Sequence, residues 1–196
     1  MSINKDSLKI LMSQEWFDNF IIDDYLQLIE AWSKQKGQSI RCLPCHYFTV
    51  AENLKKYNTS FYERDAFSNI FENKFIMMPA NYQNKHWAIS VVDVGAKTIY
   101  TYDSIKNSVD FMSITVKKMI ESLWNYQQKS KVIFSVKKFE HTMYQKDSFN
   151  CGLYVCLFAR WWIERDKFSE FYIKNKQEKR LQILIELHLD KLIYAW

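Results

Sequence analysis

The run CGLYVCLFARWWIER, residues 151–165, is apolar nearly all round, so as a helix it has almost no face to present to water and belongs in the interior of a fold. Strand chemistry lies upstream of it. KFIMMP (74–79), HWAISVVDV (86–94) and TIYTYD (98–103) are rich in β-branched and aromatic residues, and Gly95-Ala96-Lys97 separates the last two as a hairpin turn does. KVIFSVKKF (131–139) returns to the same chemistry.

Helical spacing surrounds these segments. Residues 14–34 place Ile21, Tyr25, Leu28 and Trp32 on one stripe, with Ser13 available as a cap. SFYERDAFSNIF (60–71) reads as a short amphipathic helix, and Val109, Met112, Val116, Met119, Ile120 and Leu123 keep a helical stripe. Leu181, Leu184, Ile185, Leu189 and Leu192 mark a terminal helix, while SIRCLPCHYFTV (39–50) is apolar without a clear period. Helices before, between and after a central run of strands predict an α+β fold, a mixed or antiparallel sheet flanked by helices. With no repeat and no Gly/Ser/Pro linker, 196 residues fit one domain spanning 1–196.

Charge narrows the function. Lys plus Arg number 27 against 22 acidic residues, but the cations are scattered singly or in pairs such as Lys55-Lys56, Lys117-Lys118 and Lys137-Lys138, a solvated surface with no tract for nucleic acid. The start, MSINKDSLKILMSQEW, lacks the apolar run of a signal peptide, and nothing downstream reaches the length of a membrane span. Four cysteines in such a chain predict a reduced, intracellular protein. Cys42-Leu43-Pro44-Cys45-His46 matches haem-attachment and redox patterns, but it lacks the export signal or the βαβ context that each requires, and Cys151 and Cys156 are poorly spaced to complete a zinc site, so no metal or cofactor is expected.

The hairpin carries a spatial inference. With its centre at 94.5, beside Gly95, His86 and Asp103 are each 8.5 positions away and face each other across the strands. Cross-strand Cβ atoms sit about 4.5–5.5 Å apart, close enough for the imidazole to give its Nδ1 proton to the carboxylate and keep Nε2 as a base. Cys151 falls where a polar loop meets the apolar helix, and a helix amino terminus favours a thiolate. Gln145, six residues upstream, can offer an amide donor that, with the Cys151 N–H, would stabilise an oxyanion.

These residues also resemble a family. WFDNFIIDDYLQL (16–28), FIMMPANYQNKHWAISVVDVGAKTIYTYDSI (75–105) and QKDSFNCGLYVC (145–156) are similar, in order and spacing, to the first-helix motif, the His-Trp strand with its Tyr-Asp-Ser turn, and the Gln-to-Cys-Gly segment of adenain-like cysteine proteases that process ubiquitin-like modifiers, above all the SUMO and NEDD8 branch. The resemblance implies that fold, with His86 as base and acid, Asp103 as its orienter, Cys151 as nucleophile and Gln145 as oxyanion donor. It implies Trp16 and Trp87 closing over a Gly-Gly tail that lacks side chains, and Asn19 at the position of a carboxylate that contacts the modifier. Two positions depart from the pattern: Asn150 stands where relatives carry an acid, and Phe17-Asp18-Asn19 where they carry Leu-Asn-Asp. The implied activity is cysteine isopeptidase and endopeptidase cleavage after Gly-Gly by a monomer, with SUMO ahead of NEDD8 and ubiquitin as partner and no nucleic acid or membrane involved. An acetyltransferase using acetyl-CoA on the same fold, an inactive module binding a ubiquitin-like protein, and a secreted effector acting in a host cell are the alternatives.

Overall fold

The computed structural model describes residues 4–53, 59–105, 110–140, 144–164 and 171–193. Lys55-Lys56, Val109, residues 141–143 of the polar loop and Arg165 lie outside them. Five strands form one sheet in sequential order: β1 (Ile40–Cys42), β2 (Phe75–Tyr82), β3 (His86–Asp93), β4 (Thr98–Tyr102) and β5 (Ser135–Lys138). β2, β3 and β4 run antiparallel, whereas the edge strands β1 and β5 lie parallel to their neighbours, so the sheet is mixed.

Both faces of the sheet are covered, which is why its central strands read as almost unbroken apolar runs. Trp87, Ile89 and Val91 of β3 point into a core shared with α2 (Asn19–Gln35) and α6 (Cys151–Glu164). Ala88 and Val92 point the other way, into a core closed by α3 (His46–Asn53) and α5 (Asp110–Gln128). α6 is the buried helix expected from its sequence, and all fourteen of its residues are buried. Tyr102 of β4 stacks on Phe158 of α6 with ring centroids 4.1 Å apart, fixing the helix to the sheet. The charges in α6 are paired: Arg160 donates to Glu164 at 3.2 Å and to Glu186 of α7 (Lys176–Leu189), and the Tyr25 hydroxyl donates to Glu186 at 2.8 Å.

Several expectations are corrected. The helix expected over 14–34 starts later, at Asn19: Ser13 is the C-cap of a separate preceding helix, α1 (Lys5–Met12), rather than an N-cap, and Asp18 caps α2 by accepting from the Ile21 N–H at 2.9 Å. The amphipathic helix over 60–71 reduces to α4 (Thr59–Tyr62) and two single 3-10 turns, with Asn69 at φ 51° turning the chain between them. Residues 39–50 divide into β1 and α3. The strand over 131–139 shortens to β5, exposed along its whole length. In α7, Leu181, Ile185 and Leu189 face outward, while Arg180, Ile183, Glu186 and Leu187 are buried, because polar side chains that find partners take the inward face.

Candidate active site

The site lies at the end of the sheet where β2 stops and β3 starts. His86 is the first residue of β3, Asp103 follows the last residue of β4, and Cys151 opens α6. His86 Nε2 lies 2.6 Å from Asp103 Oδ1, and the same oxygen accepts the Ile105 N–H at 2.7 Å, so the carboxylate is oriented from both sides. Asp103 is buried and the His86 side chain only 13% exposed, so little water competes for this contact.

Two details of the sequence inference change here. Strand pairing of Asp93 with Thr98 and Ile89 with Tyr102 centres the hairpin at 95.5, because Val94 to Lys97 form the turn, with Asp93 accepting the Ala96 N–H at 2.9 Å and Lys97 at φ 51°. Asp103 therefore continues β4 opposite Ala88 and reaches His86 diagonally. The shift moves the partner by two positions, and a period of two keeps both side chains on one face. The ring is also turned the other way: Nε2 serves Asp103, which leaves Nδ1 for the sulfur.

Electrostatics fit this order. Burial works against a charged imidazole, but the Asp103 carboxylate and the Cys151 sulfur outweigh it and hold the His86 pKa up at about 9. A thiol at a helix amino terminus with an imidazole beside it is the arrangement in which a nucleophile has its base within reach. The other thiols are different. Burial pushes Cys42, Cys45 and Cys156 up, and His46 is exposed while Cys42 and Cys45 are buried, so the C-x-x-C-H run is divided between core and surface. Among the described residues no cluster of His, Cys, Asp and Glu could hold a metal ion, and no helix is long and apolar enough to cross a membrane.

The loop before Cys151 is tied down by residues the sequence did not single out. Ser104, next to Asp103, donates its hydroxyl to Gln145 Oε1 at 2.6 Å and accepts the Gln145 N–H on its carbonyl at 2.9 Å. Gln145 Nε2 gives one hydrogen to the Asp147 carbonyl at 2.8 Å, and an amide nitrogen carries two. Asp147 accepts the N–H groups of Phe149 and Asn150 and an ammonium hydrogen of Lys176, and these bonds outweigh burial and keep its carboxyl below the usual range. The Asn150 carbonyl receives the first helical bond, from Tyr154 at 3.0 Å, so the N–H groups at the start of α6 have no acceptor within the helix. The bond from the Phe149 N–H to Asp147, two residues apart, is an Asx turn, a local signal the sequence did carry.

The two tryptophans differ. Trp87 is buried and donates its indole N–H to the Phe17 carbonyl at 2.9 Å, which brings the residue after Trp16 against the start of β3. Trp16 is 41% exposed, and Asn19 is exposed at the first turn of α2. Phe17 presses on α6 at Gly152, where an added Cβ would stand 2.6 Å from the Phe17 Cβ. Alanine for glycine inside a helix ordinarily stabilises by about 1 kcal/mol. Here the sign inverts: Gly152→Ala displaces the Trp16-Phe17 segment, costs about 1–3 kcal/mol, and lowers the thermal transition by several degrees in a calorimetric scan.

A helix-start cysteine, a carboxylate-oriented histidine from the sheet edge and a glutamine side chain fixed by its neighbours thus meet at one end of the sheet. Residues 16–193 match the Ulp1 protease family, C-terminal catalytic domain, and the chain belongs to that family. It is 24% identical over 196 residues to a sentrin-specific protease of Caenorhabditis elegans, covering 98% of this chain and 28% of that protein. A deubiquitinase and deneddylase, Dub1 of Chlamydia trachomatis, is 34% identical over 91 residues, 43% of this chain and 22% of that protein. The chain spans about a quarter of the length of these relatives. Its fold is that of the yeast Ulp1 protease domain solved in complex with Smt3, the yeast ortholog of SUMO, at a TM-score of 0.77 and 22% identity over 97% of this chain and 85% of that one.

Proposed function

We propose that this chain is a cysteine isopeptidase and endopeptidase that cuts after the C-terminal Gly-Gly of a ubiquitin-like modifier, with SUMO preferred. The observation that carries the reading is His86 held between the Asp103 carboxylate and the Cys151 sulfur. The Cys151 thiolate attacks the carbonyl carbon of the terminal glycine, and the Gln145 amide with the N–H groups at the start of α6 receives the developing oxyanion. Collapse breaks the C–N bond, and the imidazolium proton of His86 passes to the departing lysine amine. Water then attacks the thioester, its proton returning to His86, the C–S bond breaks to release the Cys151 thiolate, and the modifier leaves with a free carboxylate. Every group in this scheme comes from one chain, so a monomer suffices.

Trp16 and Trp87 grip the tail, and Asn19 meets the body of the modifier. An aromatic passage recognises the absence of side chains, a property the tails of SUMO, NEDD8 and ubiquitin share, so it cannot rank them. Trp16 is the informative residue to truncate, since its exposure separates binding from folding. In steady-state cleavage of fluorogenic SUMO, NEDD8 and ubiquitin, the wild-type protein should favour SUMO. Trp16→Ala should slow every accepted modifier alike, by roughly 30- to 1,000-fold, the effect of about 2–4 kcal/mol in transition-state binding. Absence of cleavage of all three by the wild-type protein would overturn the activity, and a changed ranking in Trp16→Ala would overturn the division of labour.

A further inference from the structure

Arg180 of α7 is 1% exposed, and its guanidinium bonds to two parts of the site at once, the segment before Trp16 and the residue before Cys151. On one side Nε donates to the Leu11 carbonyl at 3.4 Å, and Nη2 donates to the carbonyls of Ile10 and Glu15, the latter at 2.8 Å. On the other side Nη1 donates to Asn150 Oδ1 at 3.0 Å, one residue before Cys151. The guanidinium also lies over the Phe17 ring, 4.6 Å from its centroid. All four hydrogen-bond acceptors are neutral. Asp147, the carboxylate acting most strongly on this charge, is itself bonded to Lys176, and burial draws the Arg180 pKa down to about 10.

A buried cation satisfied only by neutral oxygens is an expensive way to fill space. Its particular capacity is geometric, since a planar fork can hold several acceptors in fixed relative positions and an ammonium cannot. The acceptors here are the end of α1 and the segment leading into Trp16, and the residue that starts the helix of Cys151. Phe17, in turn, holds Trp87 through its carbonyl and rests on Gly152. We propose that Arg180 is a positioning residue that sets the spacing between the Trp16 arm and Cys151, and so couples the grip on the modifier tail to the attack on its carbonyl. The neutral Asn150 suits this role, accepting one hydrogen of the fork without drawing the guanidinium away from the three carbonyls. The proposal rests on the protease reading above.

The test is a double-mutant cycle on kcat/KM for fluorogenic SUMO with Arg180→Lys, Trp16→Ala and the double variant. Arg180→Lys should lower the wild-type rate at least about tenfold, since small misplacements at a reacting centre are costly, but should lower the Trp16→Ala rate less than about twofold, because the arm it positions has already lost its grip. General damage to the fold or to Cys151 would instead repeat the tenfold loss in the Trp16→Ala background, and that result overturns the proposal, as does an unchanged wild-type rate in Arg180→Lys. If Arg180→Lys does not fold, Asn150→Ala breaks the same link from its other end, leaves the three carbonyls in place, and is expected to show the same non-additivity. A wild-type protein that cleaves no modifier refutes the protease reading itself. One that cleaves normally while the cycle is additive refutes the role of Arg180 alone.

Discussion

Cys151→Ala should abolish cleavage of every ubiquitin-like substrate, by about 10⁴-fold or more, while leaving the thermal transition nearly unchanged. The loss is that large because the remaining groups act on a bond formed by the sulfur: with no nucleophile, His86 has no tetrahedral intermediate to protonate and Gln145 has no oxyanion to receive. The other buried cysteines have no such dependence. Burial favours the neutral form of the Cys156 thiol inside α6, and Cys156→Ala should retain the wild-type rate within a few-fold at some cost in stability. Rates measured side by side on fluorogenic SUMO separate the two roles.

Asp103→Asn should cost about 10²- to 10⁴-fold and should move the pH profile. Asp103 Oδ1 accepts from both His86 Nε2 and the Ile105 N–H, and an amide at that position lacks the charge that favours imidazolium. In the wild-type protein the His86 pKa is raised to about 9, against about 6.5 for an unperturbed histidine. The folded state therefore holds this proton more tightly than the unfolded state, so the stabilisation is complete below about pH 6.5 and is lost as the pH rises through about 9. The alkaline limb of kcat/KM on an isopeptide substrate, where a protonated ring must serve the departing amine, should fall near the same pH. In Asp103→Asn that limb should shift to lower pH, and the decline of stability across the interval should flatten. An unshifted limb would mean that Asp103 does not govern His86.

The legible parts of this molecule were those fixed by local pattern. Segments rich in β-branched and aromatic residues located β2, β3 and β4, and an unbroken apolar run located α6, because burial on all sides leaves a strong trace in sequence. The pairing of His86 with Asp103 survived an error of one residue in the hairpin centre, since face depends on parity and parity was preserved. Its ring orientation did not, because either nitrogen of an imidazole can reach a carboxylate and the sequence says nothing of the angle from which α6 arrives. The junction of α1 and α2 was missed because Ser13 and Asp18 are both competent caps, and only tertiary contacts decide which ends a helix and which begins one. In α7 the apolar stripe misled: Arg180 and Glu186 are carried inward by partners on α1, α2 and α6, a preference that periodicity of hydrophobic residues cannot register. Ser104 and Asp147 act through bonds to Gln145 and to the loop before Cys151, so their roles emerged only with the fold.

SUMO carrying a C-terminal propargylamide places an electrophile where the scissile carbonyl would lie, and it reacts only with a thiolate that the bound tail brings within reach. Incubated with the full chain and followed by intact mass and peptide mapping, it should give a single one-to-one adduct on Cys151 that disappears in Cys151→Ala and weakens in Trp16→Ala. An adduct on Cys42, Cys45 or Cys156, labelling that persists in Cys151→Ala, or no adduct with SUMO, NEDD8 or ubiquitin probes would contradict a tail-guided Cys151 nucleophile.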